Sequence, residues 1–455
     1  MTCETEGSRT LLGDPRKGII ALAVPIAVAL LVQQANNIVD SLWVAELGAG
    51  PMAALGVVYP LYCVLIGIGN GLGIGVSAAI ARNIGMKNRD DAEGAAAQGI
   101  LLTIVVSIAM TLILILTADA SMDLMGAGSV KDECLEYALP IYLCSLPIIL
   151  SGVMSGMLRG EGAAKRSMWI QAVGAIVNMI LDPILIYVLD MGVAGAAWAT
   201  CIAFAVSCVI GLYWYVRGNG MYVRFRKQRF AFDRRLQREI LSVGMPEAVE
   251  LSVMNFFNIF LNWYVIACGG TDAVAIYSTS WRVAYILMIP AQAVGGAMVA
   301  VCSAEYGMKR FDMIRDAFRY SVILSVASLI GLSAVMALLS DPIASVFTVS
   351  DGLGYLHGEM SDLLRMFALF LPVMSLVFTG SSLMQALDKA GQAMMNTLAR
   401  NFLLVALFAF AAYTYGTLDS IWAALAVGEI AGGAMMGVHA CIALDRRSKR
   451  AGQAS

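Results

Sequence analysis

Apolar stretches of about 20 residues recur along the whole chain, broken by short turns rich in Gly, Asp, Lys and Arg. That is the length of helix needed to cross roughly 30 Å of hydrocarbon. The pattern predicts twelve spans, at about 18–46, 54–84, 95–118, 134–157, 167–190, 192–216, 239–268, 273–305, 315–340, 362–386, 392–415 and 419–444. Several are longer than a perpendicular crossing requires, which implies tilt or protrusion. A basic segment after the sixth span divides the chain into a first lobe at 1–216, a linker at 217–238 and a second lobe at 239–455.

The two lobes repeat. Aligning Pro25 with Pro246 also pairs Ala27 with Ala248, Leu30 with Leu251, Asn37 with Asn258 and Gly48 with Gly269. With one residue added, Gly85-Met86-Lys87 meets Gly307-Met308-Lys309. An even number of spans per half makes this a parallel repeat, its axis along the membrane normal. The expected fold is therefore an all-α polytopic membrane protein built as two six-helix lobes.

Charge alternates with the spans. Arg16, Lys17, Arg82, Lys87, Arg159, Lys165, Lys309, Arg310, Lys389, Arg400, Arg446 and Arg447 fall at one side, as do the basic residues of the linker, including Arg226. Asp119, Asp123, Asp190, Asp272, Asp341, Asp351 and Asp419 fall at the other. Under the positive-inside rule both termini are expected in the cytoplasm, for a multi-pass protein of the plasma membrane. The polar, charged opening of the chain predicts no cleavable signal peptide.

Composition narrows the function classes. With 59% hydrophobic and 14% charged residues over 455 positions, the apolar surface exceeds what a soluble protein can hide. Nine scattered cysteines and two histidines offer no zinc or disulfide framework. No nucleophile–base or HExxH pattern is visible, so no enzyme, organic cofactor or nucleic-acid partner is expected. Gly67, Gly69, Gly71, Gly73 and Gly75 lack the spacing and the preceding strand of a nucleotide loop. Small residues that let helices approach closely are the better reading.

Ionisable groups inside an apolar span are costly and point to function. By helical rise, Asp40 lies roughly 9 Å below the outer end of the first span, and Asp182 and Thr200 roughly 12 Å below the outer ends of the fifth and sixth. Asn178 is one turn deeper, on the face of Asp182. Pro183 has no N–H, which frees the carbonyl of Met179. Two carboxylates at one depth either share a proton or hold a cation. The alternative is interhelical hydrogen-bond glue, worth about 0.6 kcal/mol per pair. The repeat puts Leu261 and Phe408 where Asp40 and Asp182 stand, so the site is confined to the first lobe. The second lobe carries Glu247, Glu250, Arg282 and Glu429 inside its spans, and Arg282 is expected to pair with Glu250 or Glu429. Pro25 makes a bend point on the helix that carries Asp40.

The turn LRGEGAAKRSM, then Asn178-x3-Asp182-Pro183 and MGVAGAAWAT, resembles the fifth and sixth helices of the multidrug and toxic compound extrusion (MATE) transporters. Pro25 through NNIVDSLWVAELGAGPMAALG resembles their first helix, and GIGVSAAIARNIGMKNRDDA the end of their second. The resemblance implies a V-shaped cleft between the lobes and antiport of amphipathic, often cationic organic molecules against Na⁺ or H⁺. It implies that Asp40, Asn178, Asp182 and Thr200 form the coupling-cation site, with Tyr137 as a neighbour, and that the first helix bends at Pro25. Some branches carry a coupling glutamate in the seventh helix. Met254 stands there in this chain and Glu250 one turn earlier, which favours coupling in the first lobe. A lipid-linked precursor flippase of the same superfamily is the alternative. Expected partners are small organic substrates and the bilayer, with the protein as a monomer.

Overall fold

The structure, a computed structural model, describes residues 5–218, 220–225, 227–348 and 356–454. Arg226 and Asp351 of the charge pattern lie outside these residues. Every long regular element among them is a helix. A short α1 (Glu6–Leu12) leads into α2 (Pro15–Ala45), α3 (Ala49–Gly85) and α4 (Arg89–Leu116). A small α5 (Ala118–Leu124) precedes α6 (Lys131–Leu143), α7 (Ser145–Gly160), α8 (Ala164–Pro183) and α9 (Gly192–Arg217). The second half holds α10 (Arg234–Gly307), α11 (Phe311–Leu338), α12 (Ser340–Thr348), α13 (His357–Ala386), α14 (Ala390–Thr414) and α15 (Leu418–Ala454).

Ten of these helices are long and apolar enough to span a membrane, and the bent pair α6–α7 makes an eleventh. The 74-residue α10 is two spans joined at Gly270, whose φ of 73° and ψ of −166° only glycine adopts without strain. The twelve predicted spans are thus present. Two depart from the expected straight helix. The fourth is broken by 53° between α6 and α7, because Pro147 cannot donate to Leu143 one turn back. The fifth carries a π-turn at Ile184–Val188 directly after Pro183, a widening common at functional positions.

Two hydrophobic cores show how the lobes meet. One, around Leu261, Tyr277, Phe367, Phe370, Phe408 and Trp422, belongs to the second lobe alone. The other fills the first lobe and also takes in Ile240, Met298, Ile314, Leu383 and Met436. These second-lobe members lie near the face that carries both termini, so the lobes share a core there and separate toward the opposite face.

The glycines of α3 explain the close join. A Cβ on Gly73 would sit 2.5 Å from the carbonyl oxygen of Gly152 on α7, within the first lobe. A Cβ on Gly71 would sit 2.6 Å from the carbonyl oxygen of Gly244 on α10, in the second lobe. Alternate glycines therefore serve opposite faces of one helix. Gly85 and Gly307, equivalent in the repeat, likewise press against the backbone of Ala304 and Arg82. Arg82 reaches Glu239 across the same join at 3.3 Å. Toward the opposite face Ile38 and Tyr59 on one lobe and Ile259 and Trp263 on the other are exposed, and the lobes enclose a V-shaped cleft.

Candidate functional site

The candidate site lies where α2 packs on α8. Asn36 Nδ2 donates to Asn178 Oδ1 at 2.8 Å, which ties the two helices together. Asn178 Nδ2 in turn donates to Asp182 Oδ1 at 3.0 Å. One amide thus orients the next, and the second orients the carboxylate. Asp182 and Asn178 are buried and Asp40 is half-buried. Asp40 Oδ1 and Asp182 Oδ2 are both shielded and accept no hydrogen bond. The two carboxylates lie within electrostatic reach of each other. Among the described residues neither makes an ion pair with a basic side chain.

The cluster is held from its open end. The π-turn after Pro183 carries Tyr187, whose hydroxyl donates to the carbonyl of Trp43 at 2.6 Å and approaches Glu46 Oε2 at 3.2 Å. The proline that interrupts α8 therefore also shapes the clamp that fixes α2 over it. Tyr137 of α6 is buried and within electrostatic reach of both aspartates. Tyr62 of α3 is within reach of Asp40. Thr200, half-buried on α9, makes no hydrogen bond with Asp40, Asn178 or Asp182. The structure thus brings together Asp40, Asn178, Asp182 and Tyr137. It adds Asn36, which sequence reasoning missed. The signal was available, since Asn36 and Asp40 repeat on α2 the one-turn spacing of Asn178 and Asp182 on α8. Pro25 is buried in α2, roughly three turns before Asn36.

The second lobe resolves its charges differently from the expected pairing. Glu429 pairs with Arg400 at 3.3 Å, both side chains 5% exposed. Glu250 Oε1 accepts from the Thr397 hydroxyl at 2.7 Å, and Glu247 Oε2 from Gln385 Nε2 at 2.5 Å. Arg282 is exposed and near Tyr59 on the other lobe, so it partners neither carboxylate. The correction has a simple cause. Arg400 does not sit at the cytoplasmic helix end that the charge pattern predicts for it: it lies ten residues into α14, roughly 15 Å along its axis. At that depth it is the nearer countercharge.

Comparison with known proteins agrees with this architecture. The MatE family model matches residues 25–184 and 246–411, one block in each lobe. The protein named Multidrug export protein MepA from Staphylococcus saprophyticus is 23% identical over 424 residues, covering 90% of each chain. A crystal structure of MATE in complex with MaL6 superposes with a TM-score of 0.95 at 28% identity, covering 98% of this chain and 100% of that one. An outward-facing conformation of a multidrug resistance MATE family transporter superposes with a TM-score of 0.94 at 28% identity, covering 97% and 99%. With both repeats matched, the two lobes closed at one face and the cleft open at the other, the chain belongs to the MATE family of membrane transporters.

Proposed function

We propose that this chain exports amphipathic, often cationic organic molecules in exchange for Na⁺ or H⁺, with Asp40 and Asp182 as the coupling carboxylates. One observation carries the reading. Two carboxylates with shielded oxygens lie within electrostatic reach of each other in an apolar lobe, and among the described residues no basic side chain pairs with either. Such a pair is stable when a mobile cation shares it. Asn178 holds Asp182 in place, and Asn36 holds Asn178 against α2. Thr200 supplies a further oxygen when α9 closes on the cluster. In this reading the face bearing both termini is cytoplasmic, the cleft opens outward, and the protein works as a monomer. The names of the relatives support multidrug compounds as the cargo.

Loading of the cation site and loading of the cleft are then alternatives that share the bend of α2 at Pro25. Counterflow in proteoliposomes, with Na⁺ and pH gradients imposed separately, tests the coupling. Efflux of a cationic dye should follow one of the two gradients. Transport that ignores both gradients would overturn the exchange.

A further inference from the structure

The repeat exposes a second place where a ligand fits. At the offset that pairs Met168 with Met394, α9 aligns with the start of α15, and the α7–α8 turn with the α13–α14 turn. In the first lobe the chain covers the groove between these elements with its own linker. Helix α9 ends at Arg217, and Gly218 and Gly220 take positive φ of 65° and 70°. The chain then folds back, burying Met221 and Val223. Glu161 in the α7–α8 turn receives the linker: it accepts from the Tyr222 N–H at 2.9 Å and the Val223 N–H at 3.2 Å. Arg166 meets Met221 and lies over the Trp214 ring.

The second lobe lacks that linker. Gly220 corresponds to Arg446, and α15 runs on past it without turning back. The equivalent groove is a cleft of about 370 Å³. Lys389 and Arg446 line it with Gln392, Asn396 and His439, and among the described residues no acidic side chain does. Asn396 holds the His439 ring through its Oδ1. The acids beside the cleft are turned elsewhere: Asp388 accepts from Ser242 at 2.8 Å, and Asp445 pairs with Arg315. Met395, also in the lining, is 60% exposed, so the cleft has an apolar side.

We propose that this cleft binds a phosphate-bearing anion, supplied as the headgroup of an anionic phospholipid in the adjoining leaflet. Two cations and three further polar side chains at a helix-end groove match a phosphodiester. Met395 gives the acyl chains an apolar edge, which a free phosphate would not use. The inference depends on the repeat and the cleft, not on what the transporter carries.

Native mass spectrometry of the full chain, titrated in detergent with phosphatidylglycerol, tests it. The double variant Lys389→Gln/Arg446→Gln should weaken the tightest lipid-binding event about 30-fold, from the usual worth of two basic residues near a membrane surface. Lys165→Gln/Arg319→Gln, which removes two exposed charges outside the cleft, should leave it unchanged. Phosphatidylcholine should bind the unmodified chain no better than the double variant, and millimolar inorganic phosphate should not displace phosphatidylglycerol. Equal lipid affinity in both double variants would overturn the site. Displacement by inorganic phosphate would overturn the lipid as its occupant.

Discussion

The two lobes are built to one plan, yet they treat the same positions in opposite ways. Asn36, Asp40, Asn178, Asp182 and Thr200 in the first lobe correspond by the repeat to Phe257, Leu261, Leu404, Phe408 and Ala426 in the second. Those five are all buried, and Leu261, Leu404, Phe408 and Ala426 share one apolar core. The second lobe thus shows that the fold closes well with hydrocarbon at this place. The first lobe forgoes that packing and keeps two carboxylates with shielded oxygens. Where the second lobe buries Glu429, it supplies a buried countercharge, Arg400. Internal compensation makes a stable structural charge. Its absence makes a site whose countercharge comes and goes.

The largest effect that would sharpen this contrast is loss of coupling. Asp40→Asn and Asp182→Asn should each reduce gradient-driven efflux about 100-fold, and the double variant should be little worse than either, since the two act as a unit. Proteoliposome efflux measures this. Full transport in both single variants would move the coupling site to Glu250 of the second lobe.

Next comes the structural pair. Arg400→Met strands Glu429 in the apolar lobe and should cost about 3–5 kcal/mol. A thermal-unfolding scan of the detergent-solubilised protein should show a large drop in midpoint. Adding Glu429→Gln should recover most of it. A double variant as unstable as Arg400→Met alone would mean that the guanidinium serves packing rather than charge, and the contrast between the lobes would weaken.

Asn178→Ala discriminates the ions. It removes the donor to Asp182 and the tie to Asn36 together. A Na⁺ site should lose about 10–100-fold in affinity, as when the support of a ligating side chain is removed, whereas a proton site should lose only a fewfold. Isothermal titration with Na⁺ reads the difference. Thr200→Ala should follow the same direction more weakly, because Thr200 stands outside the hydrogen-bonded chain.

The smallest effect concerns Pro25. Pro25→Ala restores an N–H to α2 and stiffens the helix. Turnover should fall about threefold, roughly 0.7 kcal/mol on the barrier, with cation affinity unchanged. Wild-type turnover would leave Pro25 a packing residue only.

Much of this protein was legible in one dimension. Hydrocarbon thickness sets the length of every span, so twelve apolar runs could be counted without coordinates. A backbone in lipid must satisfy its own hydrogen bonds, so those runs had to be helices. The duplication showed in Pro25 and Pro246, and the cost of intramembrane carboxylates singled out Asp40 and Asp182. The alternate duty of the α3 glycines was legible only as closeness, not as which helix each one meets. Partnership was not legible at all. Whether Arg282 or Arg400 neutralises Glu429, and whether Asn36 reaches Asn178, depends on which helix faces lie together, across 29 residues of chain in one case and 142 in the other. Helical period places a side chain on a face, but it carries no information about the neighbour that face meets. Only the packed lobes decided that Glu429 would find a cation within the protein and that Asp40 and Asp182 would not.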